Sequence, residues 1–150
     1  MNVLTPIAKI MSTNLITVNP KTTLLEIQTI FQEYAIHHLP VVDNRQIVGI
    51  ISKEDFLNFL CELMVEKDLE IKHNFQFHDW YAKDIMTTKL AKLDSNDTIR
   101  TAIEVFKLNR LHALPVVDRM RLVGLVTTHD LIKELANEKI TLADYQIVKG

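Results

Sequence analysis

The sequence has one cysteine, Cys61, so no internal disulfide can form, and that scarcity fits a reducing compartment. Glycine is almost as rare. Only Gly49, Gly124 and Gly150 are present, too few and too far apart for a dinucleotide-binding or phosphate-cradling loop. No apolar stretch approaches the roughly 20 residues that cross a bilayer, and Met1-Asn2-Val3-Leu4-Thr5-Pro6 lacks the basic start and apolar run of a secretory signal. Charge of one sign is also missing. A net charge of −2 offers no basic face for nucleic acid. Nor is there a Ser/His/Asp order, a zinc spacing or a calcium loop. What remains is a chain of 150 residues, 47% hydrophobic and 24% charged, which reads as globular, soluble and cytoplasmic. A chain of this size buries about 70% of the surface it exposes when unfolded, enough for a real core.

What the sequence does have is a repeat. Leu39-Pro40-Val41-Val42-Asp43 returns as Leu114-Pro115-Val116-Val117-Asp118. The same offset carries Ile10-Met11 onto Ile85-Met86, Phe31 onto Phe106, His37 onto His112, Val48-Gly49 onto Val123-Gly124, and Asp55 onto Asp130. Residues 6–57 match 81–132 without a gap, which chance does not produce.

Each copy predicts the same elements. A short helix opens it, with Thr5 as cap and Pro6 at the first helical position in copy one, and Asp79 capping residues 80–86 in copy two. An extended stretch follows at 15–18 and 90–93. Then come apolar residues at helical spacing: Leu24, Ile27, Ile30 and Phe31, matched by Ile99, Ala102, Val105 and Phe106, with Thr22 and Asp97 as expected caps. Two β-branched runs with a polar turn at 43–46, repeated with a turn at 118–121, predict hairpins. Ser52 and Thr127 then cap a last helix, which in copy one continues through Phe56, Leu57, Leu60, Leu63 and Met64. The expected fold is therefore α/β (α+β), β-α-β-β-α twice, the copies packed as a pseudo-twofold pair because each alone leaves an apolar face open. The boundaries read as 1–65, a connector at 66–79, and 80–150 with a tail. The connector is charged at first and then aromatic, with Trp80 and Tyr81 expected to seal it onto the core.

Several residues invite a chemical reading. Cys61 lies among Phe59, Leu60, Leu63 and Met64 and reads as a packed thiol rather than a nucleophile. His73 and His78 read as surface histidines. His37-His38 enter a strand, so their side chains point to opposite faces, which argues against joint metal binding. Gly49 and Gly124 sit inside strands, where a missing side chain allows close approach of backbone or ligand, or a bulge. Most informative are Ser52-Lys53-Glu54-Asp55 and Thr127-Thr128-His129-Asp130, each running from a strand into a helix. Plain capping accounts for a hydroxyl with an acid three residues on. The same junction also presents free N–H groups and a positive dipole to an anion, and the acid can accept hydrogen bonds from sugar hydroxyls.

The pattern of helix, L-P-V-V-D, hairpin, V-G and S/T-x-x-D, twice in register, resembles the CBS (cystathionine β-synthase) domain. Two in tandem form a Bateman module. The resemblance covers about two-thirds of the chain. It implies a regulatory rather than catalytic module with no required cofactor, binding an adenosine compound (AMP, ADP, ATP or S-adenosylmethionine) in two clefts between the copies. It places Asp55 and Asp130 on ribose, and Ser52 and Thr127 on phosphate or ribose. One cleft would join Thr127, Thr128, His129 and Asp130 to Ile16, His37, His38 and Pro40. The other would join Ser52, Lys53 and Asp55 to Ala91, His112, Ala113 and Pro115. Because Glu54 occupies the place of His129, the Asp130 cleft is expected to take the more phosphorylated ligand. The resemblance further implies a homodimer through the helices at 56–64 and 131–135. It also implies an effector on a separate regulated protein, with no nucleic acid or membrane partner. The alternative is a ligand-free interaction scaffold; an enzyme on this fold would lack a base–nucleophile pair or metal set.

Overall fold

A computed structural model describes residues 1–66, 79–109 and 111–137; His73, His78, Phe75, Phe77 and the tail lie outside the described residues. Local chemistry accounts for the helices. Helix α1 (Leu24–Glu33) starts at Thr23, whose hydroxyl accepts from the Glu26 N–H while the Glu26 carboxylate accepts from the Thr23 N–H at 2.8 Å. The cap is thus one residue later than expected, because Thr22 is spent on the preceding turn, accepting from the Asn19 N–H. Helix α4 (Ile99–Asn109) repeats the shift. Thr98 caps it through the Thr101 N–H, and the Asp97 carboxylate accepts instead from the Asp94 N–H. The inward stripes are as predicted, with Leu24, Ile27 and Phe31 buried on α1 and Ile99, Ala102 and Phe106 on α4.

Two hairpins form the body of the sheet. Strands β1 (His38–Asp43) and β2 (Gln46–Ser52) turn through Asn44 and Arg45, both at positive φ (48° and 66°). Strands β4 (Ala113–Asp118) and β5 (Arg121–Thr127) turn through Arg119 and Met120, at 45° and 69°. Two consecutive left-handed residues match the right-handed strand twist and close each loop in two residues. The hairpins meet edge to edge at Gln46–Arg121, and β3 (Leu93–Asp94) adds in parallel to β4, giving the order β1-β2-β5-β4-β3.

The first strand of each copy is much shorter than predicted. In copy one it is a single parallel bridge, Val18 to Val41, and in copy two it is the two residues of β3. The reason lies just upstream. Ser12 exchanges two hydrogen bonds with Leu125 on β5, and Thr87 exchanges two with Ile50 on β2. Each segment must therefore cross from the opposite half before joining its own ladder.

The openers themselves are exchanged between halves. In the first, a 3-10 turn (Ile7–Lys9), Pro6 stands at the N-cap and no side chain caps it, so Thr5 does not serve as predicted. The second is α3 (Ala82–Ile85), whose N-cap is Tyr81 rather than Asp79; its N–H is held by the Asp84 carboxylate at 2.8 Å. Ile7 is fully buried in a core with Leu93, Ile99, Leu114 and Val126, all of the second half. Ala82 is fully buried in the core of the first half, where Trp80, Ile85 and Met86 also pack. Fully burying an isoleucine such as Ile7 contributes about 1.5–3 kcal/mol and the single methyl of Ala82 about 0.8 kcal/mol, so each half carries a stabilising anchor from its twin, the larger one in the second half. Trp80 meets Phe59 edge-on at 5.2 Å between centroids, in line with a sealing role.

Gly49 and Gly124 mark the same exchange. A Cβ on Gly49 would lie 2.7 Å from Met86 Cγ, and one on Gly124 would lie 2.8 Å from Met11 Cγ. Close approach is therefore made by a methionine of the opposite half. A register shift at Val41/Val42 faces Gly49, so the bulge reading holds as well. Helix α2 (Lys53–Glu66) runs as predicted. Cys61 on it is exposed, not packed, because the buried stripe follows Phe56, Leu60 and Leu63 and leaves Cys61 on the outer side with Leu57.

Candidate functional site

Both strand-to-helix junctions carry a capping arrangement. Thr127 caps α5 (Thr128–Ala136); its N–H and hydroxyl donate to Asp130 Oδ2 at 2.8 and 2.7 Å, and the Asp130 N–H returns a bond to the hydroxyl. In copy one the Ser52 hydroxyl donates to Asp55 Oδ2 at 2.6 Å and accepts from the Asp55 N–H at 3.0 Å. The helix starts are pinned to the facing strand of the same half. Lys53 N–H donates to the His37 carbonyl, and Thr128 N–H to the His112 carbonyl. Capping thus engages one carboxylate oxygen of each acid and leaves Oδ1 without a protein partner among the described residues.

A cleft of about 890 Å³ lies between the halves. It brings together Thr127, Thr128, His129 and Asp130 of the second half with Ile16, His37, His38 and Pro40 of the first. Residues expected in the second cleft reach this one too. Ser52 and Lys53, together with His112, line this same cavity, so both helix starts open onto one space. Asp55, Ala91, Ala113 and Pro115 do not line it. Asp55 is exposed at its edge, Ala91 packs against the second core, and Ala113 and Pro115 are buried in β4. The two acids differ in exposure: Asp130 is half-buried, whereas Asp55 is exposed.

Sequence reasoning missed Ser12, Asn14 and Leu15, which reach the cleft as the chain crosses from β5 to β1, and Ala35, Ile36 and Leu125, which supply apolar wall. It also missed Lys133. There a signal existed, since Lys133 is three residues beyond Asp130 on α5 and shares its face.

The electrostatics are uneven. Lys53 and Lys133 stand against Glu54 and Asp130 around four histidines. Burial holds the His38 imidazole below the ordinary histidine value of 6.5, neighbouring His37 and His112 push it the same way, and Asp55 opposes them. Among the described residues no three His, Cys, Asp or Glu side chains are grouped to hold a metal ion, and no helix is long and apolar enough to cross a membrane.

Two copies of one α/β unit with an exchanged opener, facing each other across a cleft, define a tandem-repeat class of α/β fold. The family model of the CBS domain matches residues 7–62 and 82–137, and the chain belongs to that family. It is 32% identical over 122 residues to inosine-5′-monophosphate dehydrogenase of Methanocaldococcus jannaschii, covering 80% of this chain but 21% of that protein. With another protein of the same organism it shares 28% identity over 123 residues, covering 81% of this chain and 36% of the relative. The chain therefore spans about a fifth to about a third of these relatives. Among solved structures, the CBS domain pair of protein MJ0100, in complex with 5′-methylthioadenosine and S-adenosyl-L-methionine, superposes with a TM-score of 0.75 at 24% identity over 91% of this chain and 99% of that one. CBSX2 in complex with AMP gives 0.71 at 22% over 87% and 96%.

Proposed function

We propose that this chain is a non-catalytic regulatory module, acting in the cytoplasm, that binds an adenosine-containing ligand in the cleft between its halves and signals to a separate partner protein. The candidates are AMP, ADP, ATP and S-adenosylmethionine. One observation carries the reading. The cleft joins the ribose-type acid Asp130 and its hydroxyl partner Thr127 to Ile16, His37 and His38 of the opposite half. The adenosine compounds bound by the MJ0100 pair and by CBSX2 support it.

The chemistry follows from the lining. Leu15, Ile16, Ile36 and Leu125 offer apolar wall to a purine. Asp130 Oδ1, free of the cap, accepts from ribose hydroxyls. Thr128, His129 and Lys133 supply donors and positive charge for phosphates, while Glu54, which stands in the place of His129 on the other helix start, repels them. The Asp130 side therefore takes the more anionic portion of the ligand. Residues 1–65 and 80–150 act as the two repeats, joined through 66–79.

Exposed Leu57 on α2 and its counterpart Ile132 on α5 present matching apolar positions, 51% and 60% exposed. They favour a homodimer through these helices. Thermal denaturation with AMP, ATP, S-adenosylmethionine and adenosine tests the central reading. A ligand at about 100 times its Kd stabilises by about 2.7 kcal/mol. Absence of any shift with all four compounds would leave the ligand-free scaffold as the better account.

A further inference from the structure

The sequence holds 6 histidines. Every one among the described residues, His37, His38, His112 and His129, lines the cleft. His38 sits deepest of these in its surroundings. It is half-buried at the start of β1, opposite Ser52 in the ladder, with His37 beside it and His112 reaching from the other half. The register equivalent in the second hairpin is Ala113, opposite Thr127. An alanine satisfies the hairpin there, so the imidazole at His38 is not a requirement of the fold.

The charges that face His38 can be named. His37, His112 and Asp55 act on it directly, and Lys53 and Glu54 from α2 with His129, Asp130 and Lys133 from α5 line the same cavity. Asp55 and Asp130 each have one carboxylate oxygen committed to a capping hydroxyl. The lysines and neighbouring imidazoles offer no counter-charge. A proton on His38 in the empty cleft is therefore opposed by burial and by two histidine neighbours, with one exposed acid in its favour. A phosphate in the cleft supplies the missing negative charge and acceptor oxygens, and reverses that balance.

We propose that the cleft is a proton-coupled anion site, in which a phosphate-bearing ligand binds together with a proton taken up at His38. The inference rests on the reading that this cleft is the ligand site. Its consequence is that the module responds to pH as well as to ligand. The proton moves from solvent to the imidazole, and no bond in the ligand is made or broken.

Titration calorimetry with ATP, adenosine and inorganic tripolyphosphate, at about pH 7.5 and about pH 6.5 and in two buffers of different ionisation enthalpy, tests the proposal. Wild type is compared with His38→Ala and His38→Gln, each first shown to melt cooperatively. Between these pH values, ATP and tripolyphosphate should tighten about threefold to tenfold more on wild type than on either variant, with uptake of up to about one proton. Adenosine should show no such gain. The phosphate's own titration is common to all three proteins and cancels in the comparison. If wild type and both variants share one pH slope for ATP while adenosine still binds, proton coupling is overturned and the adenosine reading stands. If tripolyphosphate binds with the His38-dependent slope while ATP gains nothing over it and adenosine does not bind, the anion site stands and the adenosine reading falls. If none of the three binds, both fall.

Discussion

The exchange of openers makes Gly49→Ala the most direct perturbation of the fold. Gly49 does not adopt positive φ, so alanine suits its backbone, and the lost freedom of the unfolded chain would by itself stabilise by about 0.4–1 kcal/mol. Sterics oppose this. The added methyl would stand 2.7 Å from Met86 Cγ and 2.9 Å from Met86 Cβ. Rotating the side chain relieves the first contact but not the second, because Cβ moves only with the backbone. That backbone is held next door, where Thr87 and Ile50 exchange hydrogen bonds of 2.9 and 3.1 Å. Overpacking of this kind costs about 1–3 kcal/mol, so the net expectation is a loss of about 0.5–2 kcal/mol. The assay is urea denaturation of Gly49→Ala, Met86→Ala and the double variant. Removing the methionine should rescue the alanine, giving a coupling of about 1–2 kcal/mol. At Gly124 the nearest Met11 Cβ is 3.2 Å away, so Gly124→Ala should be milder. Additive losses within about 0.5 kcal/mol at Gly49, or a Gly49→Ala protein more stable than wild type, would refute the packing of one half's opener on the other half's strand.

Other consequences are simpler to state. Thr127→Ala removes the acceptor that caps α5 and should cost about 0.5–2 kcal/mol in chemical denaturation. Asp130→Ala should weaken binding of the adenosine ligand about tenfold to a hundredfold by calorimetry, as expected for loss of a hydrogen bond to a charged group, while Asp55→Ala should weaken it less. Folding opposes protonation of His38, so the unfolded chain binds more protons at this residue. Its contribution to the stability of the ligand-free protein is present above the ordinary value of 6.5 and is lost as pH falls below it; His38→Ala should flatten that part of a stability–pH curve. Leu57→Lys with Ile132→Lys should shift sedimentation at tens of micromolar toward the monomer, and an unchanged profile would count against those helices as the dimer contact.

What was legible in the sequence was what is local. The hairpins, the caps at Ser52 and Thr127 and the inward stripes of α1 and α4 each depend on residues within a few positions of one another, and the repeat confirmed each one twice. The one-residue slips at Thr22/Thr23 and Asp97/Thr98 arose because two adjacent residues could each cap. The tertiary context decided between them, through the pairing of Pro6 with Thr98 and of Thr23 with Tyr81. The exchange of openers was invisible for a deeper reason. Ile7 and Ala82 are equally apolar whether they pack at home or on the twin, and a repeat offset is unchanged by the swap. The crossing segments, tied at Ser12–Leu125 and Ile50–Thr87, and the openers' own bonds, from the Ile7 N–H to the Asp97 carbonyl and from the Ala82 N–H to the Thr22 carbonyl, reveal which half receives which opener. Cys61 was read as packed because Leu57, four residues before it, widened the apparent apolar stripe; the fold buries Phe56, Leu60 and Leu63 and leaves Leu57 and Cys61 exposed.

The site follows a related logic. Positions that hold the scaffold agree between the halves: Pro40 with Pro115, Gly49 with Gly124, Asp55 with Asp130. Positions that face the cleft agree only in part, as at His37 and His112. Glu54 stands against His129 and Lys53 against Thr128, which sequence comparison could see. His38 against Ala113 matters only once the strands converge, because nothing local distinguishes an imidazole facing a cavity from one facing solvent. The pseudo-twofold therefore organises backbone and core, while the charge inside the cleft breaks it. Both helix starts line one cavity, so under the proposed function those differences would act on a ligand held there. A ligand with one anionic and one neutral end would be oriented by them, its phosphates toward His129 and Lys133 and away from Glu54. Exchanging the two residues, with Glu54→His and His129→Glu together, should preserve the fold, since both positions are exposed. It should also weaken ATP about tenfold or more while leaving adenosine within about twofold, consistent with the loss of a charge-assisted contact. Equal loss for ATP and adenosine would mean that the charge difference between the halves does not set the orientation of the ligand.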